Sequence, residues 1–355
     1  MKKKLIAVAI ATAFAAPAFA DNSNIEFYGK VNLDVESVSN NKAVAPNDSA
    51  ILMTNNASRL GLKGKEDLGD GLSAVYQYEF EVNPTNSTAG TATESKAPFT
   101  NTRNSRIGLE GAFGTIFMGT WDTPYKVAHN KVELFDNAGS FSAGKLIGIT
   151  GNAKSYVTRQ NADIQYWTPK MDGFQGLISY ALGNKTAAAG ATPATNKTRL
   201  SASGVYENDM FYGALAYENR PDQTTAGRTD TATRLVGAGK FGDAQVGLTY
   251  ERLSTGTAAT VQSAQNNWEL SGKMKFGAST IGAFYAKNGN IGNTANSGAK
   301  MFSLRYGYNF SKRTELWAAY SSIKNDANAT YSFYQGSANA GSTDSGFCLG
   351  LSHTF

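Results

Sequence analysis

The stretch from Gly346 to Phe355, GFCLGLSHTF, decides the fold class of this chain. Its larger side chains share one parity: Phe347, Leu349, Leu351, His353 and Phe355. The positions between them are smaller: Cys348, Gly350, Ser352 and Thr354. A repeat of two places one set of side chains on one face of a strand, whereas a helix would need a repeat of 3.6. The segment therefore predicts a last β-strand, which we expect to pair with the first strand of a closed sheet.

The first part of the chain supplies a matching strand over residues 25–36. Ile25, Phe27, Val31 and their apolar neighbours alternate with charged or polar residues such as Glu26 and Lys30. A soluble sheet would bury the apolar face, whereas a membrane barrel would turn it to lipid and the polar face to a water-filled lumen. Periodicity alone does not distinguish these two arrangements.

The number and spacing of such segments favour the barrel. Sixteen strands are predicted, at 25–36, 57–66, 71–81, 102–112, 114–121, 160–169, 172–183, 197–207, 209–219, 233–242, 243–253, 266–277, 278–288, 299–310, 313–323 and 345–355. Most have the roughly ten-residue length of a tilted strand that crosses a bilayer. Long connections, including 37–56, 122–159, 254–265 and 324–344, alternate with short turns. We therefore expect an all-β, 16-stranded antiparallel transmembrane barrel with short periplasmic turns and long extracellular loops.

Bulk properties limit the function. The 355 residues have a mean hydropathy of −0.33 and a formal charge of +5. Residues 1–20 have three lysines, an apolar stretch and an AFA site, which predicts a cleaved signal peptide and a single mature barrel domain over 21–355. Subtracting those three lysines leaves +2, so the charge predicts no nucleic-acid binding. Cys348 is the sole cysteine, so an exported protein would have no internal disulfide.

Short motifs along the mature chain are similar to those of general porins of the neisserial and beta-proteobacterial type. They are FYGKV at 27–31, SRLGLKG at 58–64, EDLGDGL at 66–72, SRIGL at 105–109, MG at 118–119, DTPY at 122–125, SKRT at 311–314 and GLSHTF at 350–355. The resemblance implies a homotrimer in the outer membrane of a Gram-negative bacterium, with the third loop folded into each lumen. The terminal Phe355 resembles the assembly signal that the barrel assembly machinery reads. One departure is Thr120-Trp121, where many relatives carry Arg-Gln, so a lumen-facing cation is absent here.

Charged residues on the predicted lumen faces are the candidate pore site. Strand parity places Arg59 and Lys63 on the wall, with Arg106 and Arg159 on later strands. The long third loop contributes Glu133 and Asp136. We expect the wall cations and the loop acids to create a transverse field at a constriction, because charged rings in a narrow pore select ions. The excess of wall cations predicts a mild anion preference.

No residue pattern predicts catalysis or a cofactor. Gly237 to Gly242 has the GxGxxG spacing but lies in a predicted strand, not at the start of a helix. The two histidines, His129 and His353, form no cysteine–histidine cluster that would bind zinc, and nothing in the sequence pairs His129 with a serine. We therefore predict passive diffusion of small hydrophilic solutes and inorganic ions, with outer-membrane lipid and lipopolysaccharide around the barrel. A phosphate- or anion-specific channel, or a surface adhesin or receptor barrel, remains as an alternative.

Overall fold

The computed structural model describes residues 24–40, 49–85, 99–135, 139–150, 154–183, 185–186, 195–258, 261–333 and 339–355. The predicted signal peptide lies outside these residues. The described part of the chain forms sixteen barrel strands, of which the second and fourth are each interrupted once. They are β1 (Asn24–Asn40), β2 (Ser49–Asn55 and Arg59–Gly69), β3 (Leu72–Val82), β4 (Phe99–Thr102 and Ser105–Gly111), β5 (Gly114–Asp122), β6 (Arg159–Trp167), β7 (Phe174–Ala181), β8 (Arg199–Glu207), β9 (Phe211–Pro221), β10 (Thr229–Phe241), β11 (Ala244–Ala258), β12 (Val261–Phe276), β13 (Ser279–Asn288), β14 (Ala299–Asn309), β15 (Thr314–Asn325) and β16 (Thr343–Thr354).

Each strand pairs antiparallel with its neighbours in sequence, and β16 pairs with β1 to close the barrel. The closing register runs from Lys30 opposite Thr354 to Asn40 opposite Asp344. Beyond it, the amide of Gly29 donates to the carbonyl of Phe355 at 3.0 Å, and the Phe355 amide donates back at 3.1 Å. A closed sheet has no edge strand, so the strands' backbone groups can pair within the bilayer. The predicted sixteen-stranded barrel is confirmed.

The two faces of the wall have the chemistry expected of a membrane barrel. Large apolar side chains such as Ile107, Leu215 and Phe347 point outward and are 64%, 58% and 54% exposed. Inward positions bury polar groups, including Asp163 and Glu269. Two small two-stranded sheets, Ile149–Thr150 with Lys154–Ser155 and Lys185–Thr186 with Thr195–Asn196, are separate from the barrel sheet. None of the helices in the described residues is long and apolar enough to cross a membrane.

Several strands extend beyond their predicted ends. The predicted connection 254–265 is mostly strand, because β11 runs to Ala258 and β12 begins at Val261. Strand β1 likewise continues to Asn40, and Ser49–Asn55 adds to β2. These extensions are rich in Ser, Thr, Gln and Asn, a composition that is typical of loops. Backbone pairing with the neighbouring strand, rather than side-chain pattern, keeps them extended.

Gly29 lets the last residue of the chain close the seam. A Cβ atom at Gly29 would overlap the aromatic ring of Phe355. We expect Gly29→Val to weaken closure by about 1–3 kcal/mol, because the ring must leave its position. Heating before SDS electrophoresis should unfold this variant at a lower temperature than the parent barrel. Gly213→Val on β9 is the matched control, since a Cβ there meets nothing within 4 Å; equal destabilisation of both variants would contradict the prediction.

Candidate site in the barrel lumen

The third loop, residues 123–158, joins two of the shorter strands of the barrel. Strand β5 ends at Asp122 and β6 begins opposite it at Arg159, so each has nine residues. The loop begins with a short helix, α1 (Pro124–Val127). Thr123 caps this helix by accepting a hydrogen bond from the Lys126 amide at 3.2 Å, and proline suits the first turn. The chain is thereby turned into the lumen partway up the wall.

A buried ion pair on the opposite wall holds the loop. Arg234 on β10 and Glu251 on β11 are both fully buried, and their Nη2 and Oε2 atoms lie 2.7 Å apart. The Tyr125 hydroxyl donates to Glu251 at 2.9 Å, while Arg234 donates to the Tyr125 carbonyl at 3.1 Å. The Gly148 amide also donates to Glu251, at 2.6 Å. Two distant parts of the loop are therefore fixed to the same pair of wall residues.

His129 forms a second anchor beside the first. Its Nε2 atom lies 2.6 Å from Glu269 Oε2 on β12, and its Nδ1 atom lies 3.9 Å from Glu133 Oε2 within the loop. Burial alone would lower the pKa of His129, but the Glu269 carboxylate outweighs it and raises that pKa above its ordinary value of 6.5. Burial raises the pKa of Glu133 above 4.5, although His129 opposes the change.

Apolar packing secures the far half of the loop. Phe141, Leu146 and Ile147 are buried against inward-facing side chains of β13 to β15 and a later connection. The wall residues in this cluster include Phe284, Met301 and Ile323, with Phe333 beyond β15. The expected rule of polar lumen faces is therefore wrong for this sector, where the loop replaces water as the neighbour of the wall.

A cluster of cations lies at the root of the loop. Arg103 Nε is 2.6 Å and Arg59 Nε is 3.8 Å from the Glu79 carboxylate on β3. The Tyr28 hydroxyl donates to the same carboxylate at 3.0 Å. This carboxylate thus orients two arginines side by side on the lumen face of β2 to β4, and their combined charge exceeds its own.

Asp122 organises the other half of this cluster. Its Oδ1 atom lies 2.8 Å from Lys126 Nζ and 3.4 Å from Arg159 Nε. Asn104 accepts from Arg159 Nε at 2.6 Å and donates to Asp122 at 3.3 Å. We call the following residues the basic cluster: Arg59, Arg103, Lys126, Arg159, Glu79 and Asp122. Its four cations outnumber its two carboxylates by two.

Lys30 and Glu81 flank the basic cluster and carry opposite charges. Both lie opposite Arg59 in the register, Lys30 on β1 and Glu81 on β3. Together they leave the excess of two positive charges unchanged.

Between the loop and the wall of β1 and β12 to β16, a cavity of about 280 Å³ is lined by both signs of charge, including Asp34, Lys273 and Arg305.

The residues that the sequence predicts for the pore constriction lie in different parts of the structure. Arg59 and Arg159 belong to the basic cluster. Lys63 lies further towards the short turns and pairs with Glu26 at 3.1 Å. Glu133, which belongs to the loop, is buried beside His129 and is not turned towards the arginines of the basic cluster. Asp136 lies outside the described residues.

Arg106 occupies an aromatic pocket instead of an ion pair. Its guanidinium carbon lies 4.6 Å from the ring centre of Phe117, 4.5 Å from Trp121 and 5.7 Å from Trp167. Its Nε and Nη1 atoms are buried and have no hydrogen-bond acceptor. Contacts with ring faces stabilise a cation without neutralising it. Arg106 therefore contributes a positive charge to this wall, but from within a pocket.

The alternation of residues along the predicted strands did not identify Arg103 or Lys126 as site residues. Strict alternation places Arg103 and Arg106 on opposite faces, but β4 is interrupted between Thr102 and Ser105, which brings Arg103 to the lumen. Lys126 is placed by the cap of α1, which the Thr123-Pro124 pair could have indicated.

Within the described residues, no group of three or more His, Cys, Asp and Glu side chains could hold a metal ion. The Gly237–Gly242 segment lies in β10 and the turn after it.

Breaking the buried ion pair should release the loop. Glu251→Gln leaves Arg234 without its charged partner, a loss that costs about 3–5 kcal/mol in buried pairs. We expect trypsin to cleave the folded variant much faster at Lys126 or Lys131 than the parent protein. Glu110→Gln is the matched control, because its 2.6 Å pair with Lys65 is exposed and lies outside the loop. Equal cleavage rates in both variants would argue against the anchor.

The second anchor should weaken as pH rises. Because the pKa of His129 is raised, the stabilisation from its protonated form is complete below pH 6.5 and disappears as pH rises through the raised value. The raised pKa of Glu133 acts in the same direction. Single-channel current fluctuations should therefore increase from pH 6 to alkaline pH, and His129→Gln should remove this dependence. An unchanged pH profile in the variant would count against this anchor.

Comparison with known proteins identifies relatives over the whole chain. The family described as Gram-negative porin matches residues 7–328. Outer membrane porin protein 32 of Delftia acidovorans is 28% identical over 379 residues and covers 100% of both chains. An outer membrane porin of Bordetella pertussis is 29% identical over 92% of this chain and 95% of its own.

Solved structures agree with the fold. A structure titled as an anion-selective porin from Comamonas acidovorans has a TM-score of 0.79 and 25% identity, and covers 94% of this chain and 100% of its own. OmpT of Vibrio cholerae, at 14% identity and a TM-score of 0.67, shares the fold. The closed barrel, the loop folded into its lumen and these matches lead to one conclusion: this chain is an outer-membrane protein that belongs to the Gram-negative porin family.

Proposed function

We propose that this porin conducts small hydrophilic solutes and inorganic ions with a preference for anions. The observation that carries the proposal is the basic cluster, where four cations and two carboxylates line the lumen where the third loop leaves and rejoins the wall. Charges in a water-filled pore with low-dielectric walls act over longer distances than they do in bulk water. An excess of two positive charges at this point would raise the local concentration of anions.

Arg106 adds to this field in a different way. Its three aromatic neighbours leave the guanidinium charge unneutralised, while its Nε and Nη1 atoms are buried among them. The arginines at Glu79 and Asp122 are the ones that we expect to meet solutes. The solved porin titled anion-selective, at 25% identity, supports the same preference for this chain.

We further propose the remaining features that the family resemblance implies. Residues 1–20 are removed on export, and 21–355 form a single barrel domain that assembles as a homotrimer. Phe355, which lies at the closing seam, is the residue that the barrel assembly machinery recognises. Passage is passive, and no catalytic step or cofactor is assigned.

Removing the clustered arginines should move ion selectivity towards cations. In a planar bilayer with a KCl gradient, we expect Arg59→Gln, Arg103→Gln and Arg159→Gln each to shift the reversal potential towards the potassium value, and a triple variant to shift it further. Arg106→Gln should give a smaller shift than Arg103→Gln, because Arg106 lies in a pocket. Lys312→Gln, in an exposed turn, is the control. A triple variant with the parent reversal potential would refute the assignment.

A phosphate-specific channel is the second candidate, since guanidinium groups suit phosphate oxygens. It predicts that micromolar phosphate blocks the chloride current and that Arg103→Gln relieves the block. A general porin predicts only an additive phosphate current. The same bilayer recording distinguishes the two outcomes.

A further inference from the structure

Three lysines form a row on the outside of the barrel. Lys287 on β13 is directly opposite Lys300 on β14, and Lys300 is directly opposite Lys324 on β15. All three are exposed and share the outward face with apolar residues of the same strands. Directly opposite residues in antiparallel strands have Cβ atoms about 4.5–5.5 Å apart. The three lysine side chains therefore start close together on the outer face of the barrel.

The three lysines lie at the same height on the barrel wall, near the ends of their strands. Lys287 and Lys324 are each one residue from the end of their strand, and Lys300 is one residue from the start of β14. These ends adjoin the long connections, which we assign to the cell surface. Immediately towards the membrane lie Tyr285 and Phe302, opposite each other in the register. Trp268 is opposite Lys287, and its ring lies 5.4 Å from that of Tyr285. Cations thus lie directly above an aromatic belt.

The lysine row is unfavourable without a partner. Like charges directly opposite each other destabilise a sheet. Among the described residues, no carboxylate lies within ion-pair distance of Lys287, Lys300 or Lys324. Other lysines near the barrel ends, such as Lys65 and Lys131, do form such pairs. An external anion at the membrane surface would remove the repulsion.

We propose that Lys287, Lys300 and Lys324 bind the phosphate groups of a phosphorylated lipid of the outer leaflet, of the lipopolysaccharide class. The phosphates lie over the lysine row, and the acyl chains extend along Tyr285 and Phe302. Arg252 on β11, also exposed and held by Asn266 at 3.2 Å, extends the basic surface to one side. Cations level with headgroups and aromatic rings at the interface are complementary to such a lipid.

Charge complementarity favours lipid over a second copy of this chain. The outward faces of the described strands are largely apolar, with exposed residues such as Leu270, Phe347 and Leu349. A subunit interface here would bury three ammonium groups against such a surface, at a high desolvation cost. A lipid headgroup brings its own negative charge and leaves the lysines at the membrane–water boundary.

The test uses protein refolded without lipid and native mass spectrometry with added lipopolysaccharide. We expect the parent protein to bind the phosphorylated form, and a Lys287→Gln, Lys300→Gln, Lys324→Gln triple variant to lose roughly fivefold in affinity per lysine. The single variant Lys300→Gln should show an intermediate loss. A control variant, Lys65→Gln, Lys170→Gln, Lys312→Gln, removes the same charge at the opposite rim and should bind as the parent does. Unchanged channel conductance in the lysine-row variants shows that they are folded.

Four results would overturn the proposal. They are equal binding by the lysine-row and parent proteins, equal binding of lipopolysaccharide whose phosphates have been removed, displacement by millimolar inorganic phosphate, and an equal loss in the control variant. A change of oligomeric state in the lysine-row variant would instead identify the row as a subunit contact. Because the lysines lie outside the lumen, none of these results depends on the ion preference proposed above.

Discussion

Backbone hydrogen bonding in a medium without water is the constraint on which this structure depends. Lipid offers no partner to an amide or a carbonyl, so a sheet that spans the membrane must close on itself. Here closure joins β1 to β16 and is completed by two hydrogen bonds between Gly29 and Phe355. Because Gly29 has no side chain, the aromatic ring of Phe355 can pack directly against it. Once the wall is closed, its inner and outer faces can carry different chemistry.

The third loop determines which parts of the inner face meet water. Arg234 and Glu251 hold it through Tyr125 and Gly148, and Arg220 likewise pairs with Glu218 and donates to the Ser155 carbonyl at 2.8 Å. The arginines at Glu79 lie on the other side of the lumen and keep an excess of charge. Lumen cations thus have two distinct roles, and only their neighbours reveal which role each one has.

Much of the fold could be predicted from sequence, because alternation in strands such as 25–36 and 345–355 reports directly on the two faces of a wall. The strand number and closing pair follow from that pattern. The site was harder to predict. Arg103 depends on a break in β4, Glu133 on the path of the loop, and Arg106 on rings from two other strands. Each of these is a contact between distant segments, which local periodicity does not contain.

The seam between Gly29 and Phe355 also means that the barrel, considered as a ring, has no inherent first strand. Phe355 at the end of β16 is hydrogen-bonded to Gly29, which lies five residues after the start of β1 at Asn24, so the two ends of the wall are near each other on the rim of short turns. A short peptide could join them, and new ends could be opened in a long surface connection without cutting any ladder. Such circularly permuted chains would retain the same wall while changing which strand is synthesised last. The position of the ends therefore concerns the order of assembly rather than the architecture.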